Sequence, residues 1–149
     1  MNEQFNNRMP VFKKVFTLLL VLDLVGLILA GITLVPNFPQ WAEYGQIMLV
    51  VSSVMVVVMV AVALFEILAK GYLIRNASQE SINKRCVTFA RALVVFNLCA
   101  VIINLLAMGG EGATLLNQTR IAAQVLASAA EVAVAFLYLR TVKGLFAAK

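Results

Sequence analysis

The sequence predicts an all-α integral membrane protein, a four-helix bundle with both N and C termini cytoplasmic. Three observations lead there: composition, the number of long apolar segments, and the placement of lysine and arginine. The chain has 149 residues, 62% of them hydrophobic and only 13% charged. Soluble domains are about 45–50% apolar and about 25% charged, so this balance belongs to the bilayer. The length fits one domain, residues 1–149, with no polar stretch long enough for a second.

A helix needs about 20 apolar residues to cross the hydrocarbon core. Four segments meet that length, at about 12–35, 46–69, 87–108 and 119–142. The first contains VFTLLLVLDLVGLILAGITLV, Val15 to Val35, which is nearly all hydrocarbon apart from Asp23. Lys13 and Lys14 precede it as in a signal peptide, but the apolar run is too long for a signal core, so a retained span is expected. The second, IMLVVSSVMVVVMVAVALF, is rich in valine, a weak helix former in water. In lipid an open strand would leave its backbone unsatisfied, so the helix is expected regardless. Between them, residues 35–45 carry two prolines with Trp41 and Tyr44, which suits an interfacial anchor. Residues 70–85 are polar and read as a connection holding a short interfacial helix, and residues 108–118 are glycine-rich.

Lys and Arg set the direction. Arg8, Lys13 and Lys14 precede the first span; Lys70, Arg75, Lys84 and Arg85 fall between the second and third; Arg140, Lys143 and Lys149 follow or end the fourth. The 36–45 and 109–118 connections have none. By the positive-inside rule both termini and the 70–85 connection lie in the cytoplasm. The same rule accounts for the net charge of +5 without a nucleic-acid partner.

Enzymatic classes are poorly supplied. The chain has no histidine, the commonest metal ligand and general base. Cys86 and Cys99 fall on one helix about 20 Å apart, too far for a disulfide within it and without metal-binding spacing. Gly109-Gly110-Glu111-Gly112 lacks the Lys-Ser/Thr ending of a phosphate loop. No cofactor, no metal site and no catalytic residue is expected.

What remains are polar residues inside the spans. Asp23 lies about 13 Å in from Lys14, Arg91 about 9 Å in from Arg85, and Glu131 about 18 Å in from Lys143. Glu66 is about 6 Å from Lys70, near the interface. A charge at the bilayer centre costs at least about 2.5–3.5 kcal/mol, so Asp23 needs a partner. Arg91 is the basic residue within a span at similar depth, and an Asp23–Arg91 contact is the leading expectation. On the fourth helix Gln124, Ala127, Ser128, Glu131, Ala135 and Tyr138 form a small-and-polar stripe of the kind that lets helices approach in lipid. Matching stripes run through Asp23, Gly26 and Ala30, through Met48, Ser52, Met55, Met59, Ala63 and Glu66, and through Asn97, Ala100 and Asn104. If the third and fourth helices fold back about residue 114, Asn97 meets Glu131 and Asn104 meets Gln124 at equal depth. Whether the fourth stripe packs inside the bundle or against another subunit stays open.

PNFPQWAEYG leading into the second span, followed by LFEILAKGYLIRNASQESINKRCVTFARAL, resembles the YoaS-like family of small bacterial four-helix membrane proteins. Ser78, Ser81, Lys84, Arg85 and Cys86 sit where that pattern joins spans two and three. The resemblance implies four helices and a multi-pass location in the bacterial inner (cytoplasmic) membrane, and it carries over no site residue.

The expected function is therefore non-enzymatic. The protein would act through helix–helix contacts, as an accessory subunit, a regulator or an immunity-type protein, with the lipid bilayer and other membrane subunits or its own copies as partners. The alternative is an oligomeric, proton-coupled transporter of a small solute using Asp23 or Glu131.

Overall fold

The computed structural model describes residues 2–34, 43, 45–78, 80–108 and 115–146. It is all-helical over these residues, with α1 at Asn2–Leu34, α2 at Gln46–Arg75, α3 at Lys84–Met108 and α4 at Leu115–Phe146. All four are long and apolar enough to cross a membrane. The expected interfacial anchor at Trp41 and Tyr44 and the glycine-rich 109–114 stretch lie outside the described residues.

The helices exceed the apolar spans mainly at the ends that the sequence marks as polar. α1 begins ten residues before the expected span and runs through Pro10. Pro10 and Asn6, whose carbonyl loses its bond partner to the ring, are both exposed, so water or headgroups can satisfy that oxygen. α2 continues past residue 69 to Arg75, which absorbs the first six residues of the stretch expected to be a connection. Asn76 closes it by donating its backbone N–H and its side-chain amide to the Tyr72 carbonyl, at 3.1 and 2.8 Å. Asn83 then caps α3, its Oδ1 accepting from the backbone N–H of Arg85 at 2.9 Å and of Cys86 at 3.2 Å. The Tyr72 hydroxyl lies 3.0 Å from the Asn83 amide and ties one helix end to the next. No separate interfacial helix forms among the described residues here.

The core follows a heptad seam. Phe5, Met9, Phe12, Phe16 and Leu19 of α1 are buried at alternating spacings of four and three. Cys86, Ala90 and Leu93 of α3, and Ala135, Tyr138 and Val142 of α4, follow the same rule, and α2 adds Ala69 and Leu73. This is the spacing of helices packed side by side in a left-handed bundle. Because the buried parts are the first half of α1 and α3 and the second half of α2 and α4, successive helices are antiparallel.

The α3–α4 hairpin keeps the register expected from residue 114. Cys86, Ala90, Leu93 and Asn97 mirror Val142, Tyr138, Ala135 and Glu131 about that point, and all eight are buried. α3 and α4 make the most extensive helix pair, α1 and α2 the next, and the contacts between the two hairpins are sparser.

Burial is confined to one end. Among the described residues, no residue after Leu19 in α1, before Ala69 in α2, after Asn97 in α3 or before Glu131 in α4 is buried. The end holding the start of α1, the α2–α3 connection and the end of α4 is a packed, basal half. In the distal half the inner positions, such as Leu27, Val62, Val101 and Val125, are only half-buried.

Candidate functional site: a lysine among three carboxyls

The seam that buries Phe12, Phe16 and Leu19 reaches Asp23 at its next step, and the seams of α3 and α4 reach Asn97 and Glu131 in the same way. Core geometry thus places polar side chains from several helices at one level, where the packed half ends. Lys70 of α2 occupies the middle. Its side chain is 1% exposed, against 9% for Glu131 and 16% each for Asp23 and Glu66.

The Lys70 ammonium pairs with Asp23 Oδ2 and donates to Glu131 Oε2 at 2.7 Å. Glu66 precedes it by one turn of α2, with Oε2 at 4.0 Å, within ion-pair range but too long for a hydrogen bond. Asn97 closes the ring from α3. Its Nδ2 lies 3.0 Å from Glu131 Oε2, 3.2 Å from Glu66 Oε1 and 3.1 Å from the Leu93 carbonyl. Two N–H groups there serve three acceptors. All four helices are joined through this one cluster.

Three carboxyls face one ammonium, so with every group ionised two negative charges stand beyond what Lys70 neutralises. Burying an ion pair in a low dielectric is not a source of net stability by itself, but removing one member leaves a costly uncompensated charge. The arrangement works as a polar clasp that fixes which helices meet and at what height. It also concentrates exchangeable protons at one level of the bundle.

Directly beneath lies an aromatic layer. The Tyr138 ring meets Phe12 and Phe16 edge-on, at centroid distances of 5.7 and 5.6 Å. Phe16 is two turns below Asp23 on α1, and Tyr138 is two turns below Glu131 on α4, so both layers share one register. On the other side Phe65 of α2 packs on Phe89 and Phe96 of α3, and Tyr72 packs on Phe89. The Tyr138 hydroxyl is buried with no nitrogen or oxygen partner, and the Cys86 thiol is its hydrogen-bonding neighbour.

The expected Asp23–Arg91 pair is not formed. Asp23 meets Lys70, and Arg91 is exposed on α3. A hairpin turning symmetrically about residue 40 would put Asp23 beside Val57, about 20 Å along the helix from Lys70. Instead α1 is displaced along α2 toward the basal end, where Phe5 and Met9 still find a core. The Asn97–Glu131 contact forms, but Asn104 does not meet Gln124. Asn104 donates to its own helix at the Ala100 carbonyl, 2.9 Å away, and Gln124 is exposed.

The packing residues divide at the same level. Ala135 is buried, Ser128 and Ala30 are half-buried, and Ala127 is exposed. A Cβ added at Gly26 would meet nothing within 4 Å, so this glycine allows no close helix approach within the chain. Met48, Met55 and Met59 are exposed, while Ser52 and Ala63 are half-buried. Among the described residues, no group of acidic residues and cysteines is arranged to hold a metal ion.

A double-mutant cycle separates the two pairings. Asp23→Asn with Lys70→Met is expected to show a coupling of at least about 1 kcal/mol in unfolding stability, because the residues touch. Asp23→Asn with Arg91→Gln should be additive. The reverse pattern would reinstate Arg91 as the partner.

No family model, no curated protein and no solved structure matches the chain.

Proposed function

We propose that the chain is a non-enzymatic membrane protein, with both termini on the cytoplasmic side of a bacterial inner membrane, that acts as an accessory subunit or regulator of another membrane protein. The carrying observation is the division of the bundle at the Lys70 level. Below it the helices are clasped and packed. Above it no described residue is buried, yet the small and polar stripes continue through Gly26, Ala63, Ala100, Ala127 and Ser128. Small residues on half-buried and exposed helix faces suit the close approach of a further transmembrane helix, for which lipid is a poor substitute. The clasp holds the basal half together while the distal half takes the partner's helices.

Native mass spectrometry of the protein extracted gently from its own membrane tests this. The expected result is a complex whose mass is not an integer multiple of this chain's. A lone monomer under conditions that preserve other membrane complexes would contradict it.

A second reading, an oligomeric proton-coupled transporter, is favoured by the surplus of carboxyls around Lys70. A homomer in the same spectrum would support it over the first. Proton flux into liposomes that is lost in Glu131→Gln but kept in Arg8→Gln would then be its signature.

A further inference from the structure

The outer side of the α3–α4 hairpin carries a ladder of cations that the clasp does not use. Lys84 and Arg91 of α3 and Arg140 and Lys143 of α4 are all exposed. Among the described residues every ion pair converges on Lys70, and none engages these four. Phe89 packs on Phe65 and Tyr72 of α2, which fixes the flank of α3 that faces α2. Arg91, two residues on and about 200° round the helix, falls on the outer flank, turned away from α2. The hairpin register sets the heights. Lys84 and Lys143 mirror one another about residue 114 within one residue, Arg140 lies about 4.5 Å deeper than Lys143, and Arg91 lies about 10 Å deeper than Lys84. The flanking exposed residues are apolar on the bilayer side, with Val95 and Leu98 on α3 and Phe136 and Leu137 on α4. A vertical series of cations over an exposed apolar surface matches a lipid, with phosphate above and acyl chains below. Arg91, the deepest of the four, reaches a headgroup by extending toward the surface.

We propose that this face is a binding site for an anionic phospholipid, with Arg91 and Arg140 holding phosphate and Lys84 and Lys143 the outer edge of the headgroup. Two tiers of cations fit a headgroup with two phosphates better than one with a single phosphate. The site stands on the α3–α4 hairpin alone and is independent of any partner subunit.

The test is lipid titration of delipidated protein in neutral detergent, read by native mass spectrometry, with tetraoleoyl cardiolipin, dioleoyl phosphatidylglycerol and dioleoyl phosphatidylcholine as probes. Cardiolipin is expected to bind most tightly and phosphatidylcholine most weakly. Arg91→Gln with Arg140→Gln should weaken cardiolipin at least about fivefold, since each cation near an anionic surface contributes that order of affinity. Arg8→Gln with Lys14→Gln, which removes two exposed cations from α1, should leave it unchanged. Equal binding of all three lipids by the unmodified protein would overturn the proposal. So would equal loss in both double variants, which would mark a diffuse charge effect, or displacement of cardiolipin by millimolar inorganic phosphate, which would mark a phosphate site instead.

Discussion

Replacing Lys70 with methionine is expected to destabilise the folded protein by about 3–5 kcal/mol, the range for removing one member of a buried ion pair. The side chain is almost wholly enclosed, and its ammonium is the cation shared by Asp23 and Glu131. Methionine fills much of the same space, so the loss measures charge rather than packing. Unfolding in mixed micelles of rising SDS content, followed by helical circular dichroism, gives the value. Asp23→Asn should cost less, because Glu131 still lies 2.7 Å from the Lys70 ammonium and Asn97 still holds Glu131. An ordering with Asp23→Asn more damaging than Lys70→Met would place the weight of the cluster on α1 instead.

Tyr138 is the second large effect. It is the biggest fully buried side chain among the described residues, and it fills the space between α1 and α4 against Phe12 and Phe16. Tyr138→Ala empties that layer and should cost about 3–5 kcal/mol by the same SDS titration. In lipid the driving force for helix association is packing itself, so a void two turns below the clasp is felt directly. Tyr138→Phe removes a hydroxyl whose neighbour for hydrogen bonding is the Cys86 thiol. It should therefore cost no more than about 1 kcal/mol, since only a weak bond to sulfur is lost. A large loss in Tyr138→Phe would mean that the contact with Cys86 is more than a weak bond.

Both effects depend on residues that the sequence exposes to very different degrees. The four helices are legible because apolar runs of that length have few other uses. The α3–α4 register is legible from Asn97 and Glu131 because isolated polar residues in lipid must find each other, and a short connection leaves little freedom in height. The same reasoning fails for Asn104, which has a carbonyl on its own helix within reach. Lys70 is hidden by its position. It stands where the apolar run gives way to polar residues, so hydropathy assigns it to a cytoplasmic connection. Only the extension of α2 to Arg75 brings it inside. The signal available was Glu66 one turn earlier, a spacing that puts both groups on one face of a helix. The displacement of α1 along α2 has no such signal, because it follows from where Phe5, Met9 and Phe12 find a core rather than from the length of the connection. Arg91 was the nearest cation by depth, but depth says nothing about which side of a helix faces inward. Phe89 settles that, through contacts with α2 that only the fold reveals.

The central claim is that Lys70 and the carboxyls around it form one clasp whose charges must be balanced for the basal half to hold. The measurement that tests it most directly compares Lys70→Met with a variant in which Lys70→Met is combined with Asp23→Asn and Glu131→Gln. Neutralising the carboxyls left behind should recover most of the stability lost in the single variant, because no buried charge is then without its partner. A combined variant no more stable than Lys70→Met alone, or a single variant as stable as the unmodified protein, would contradict the clasp.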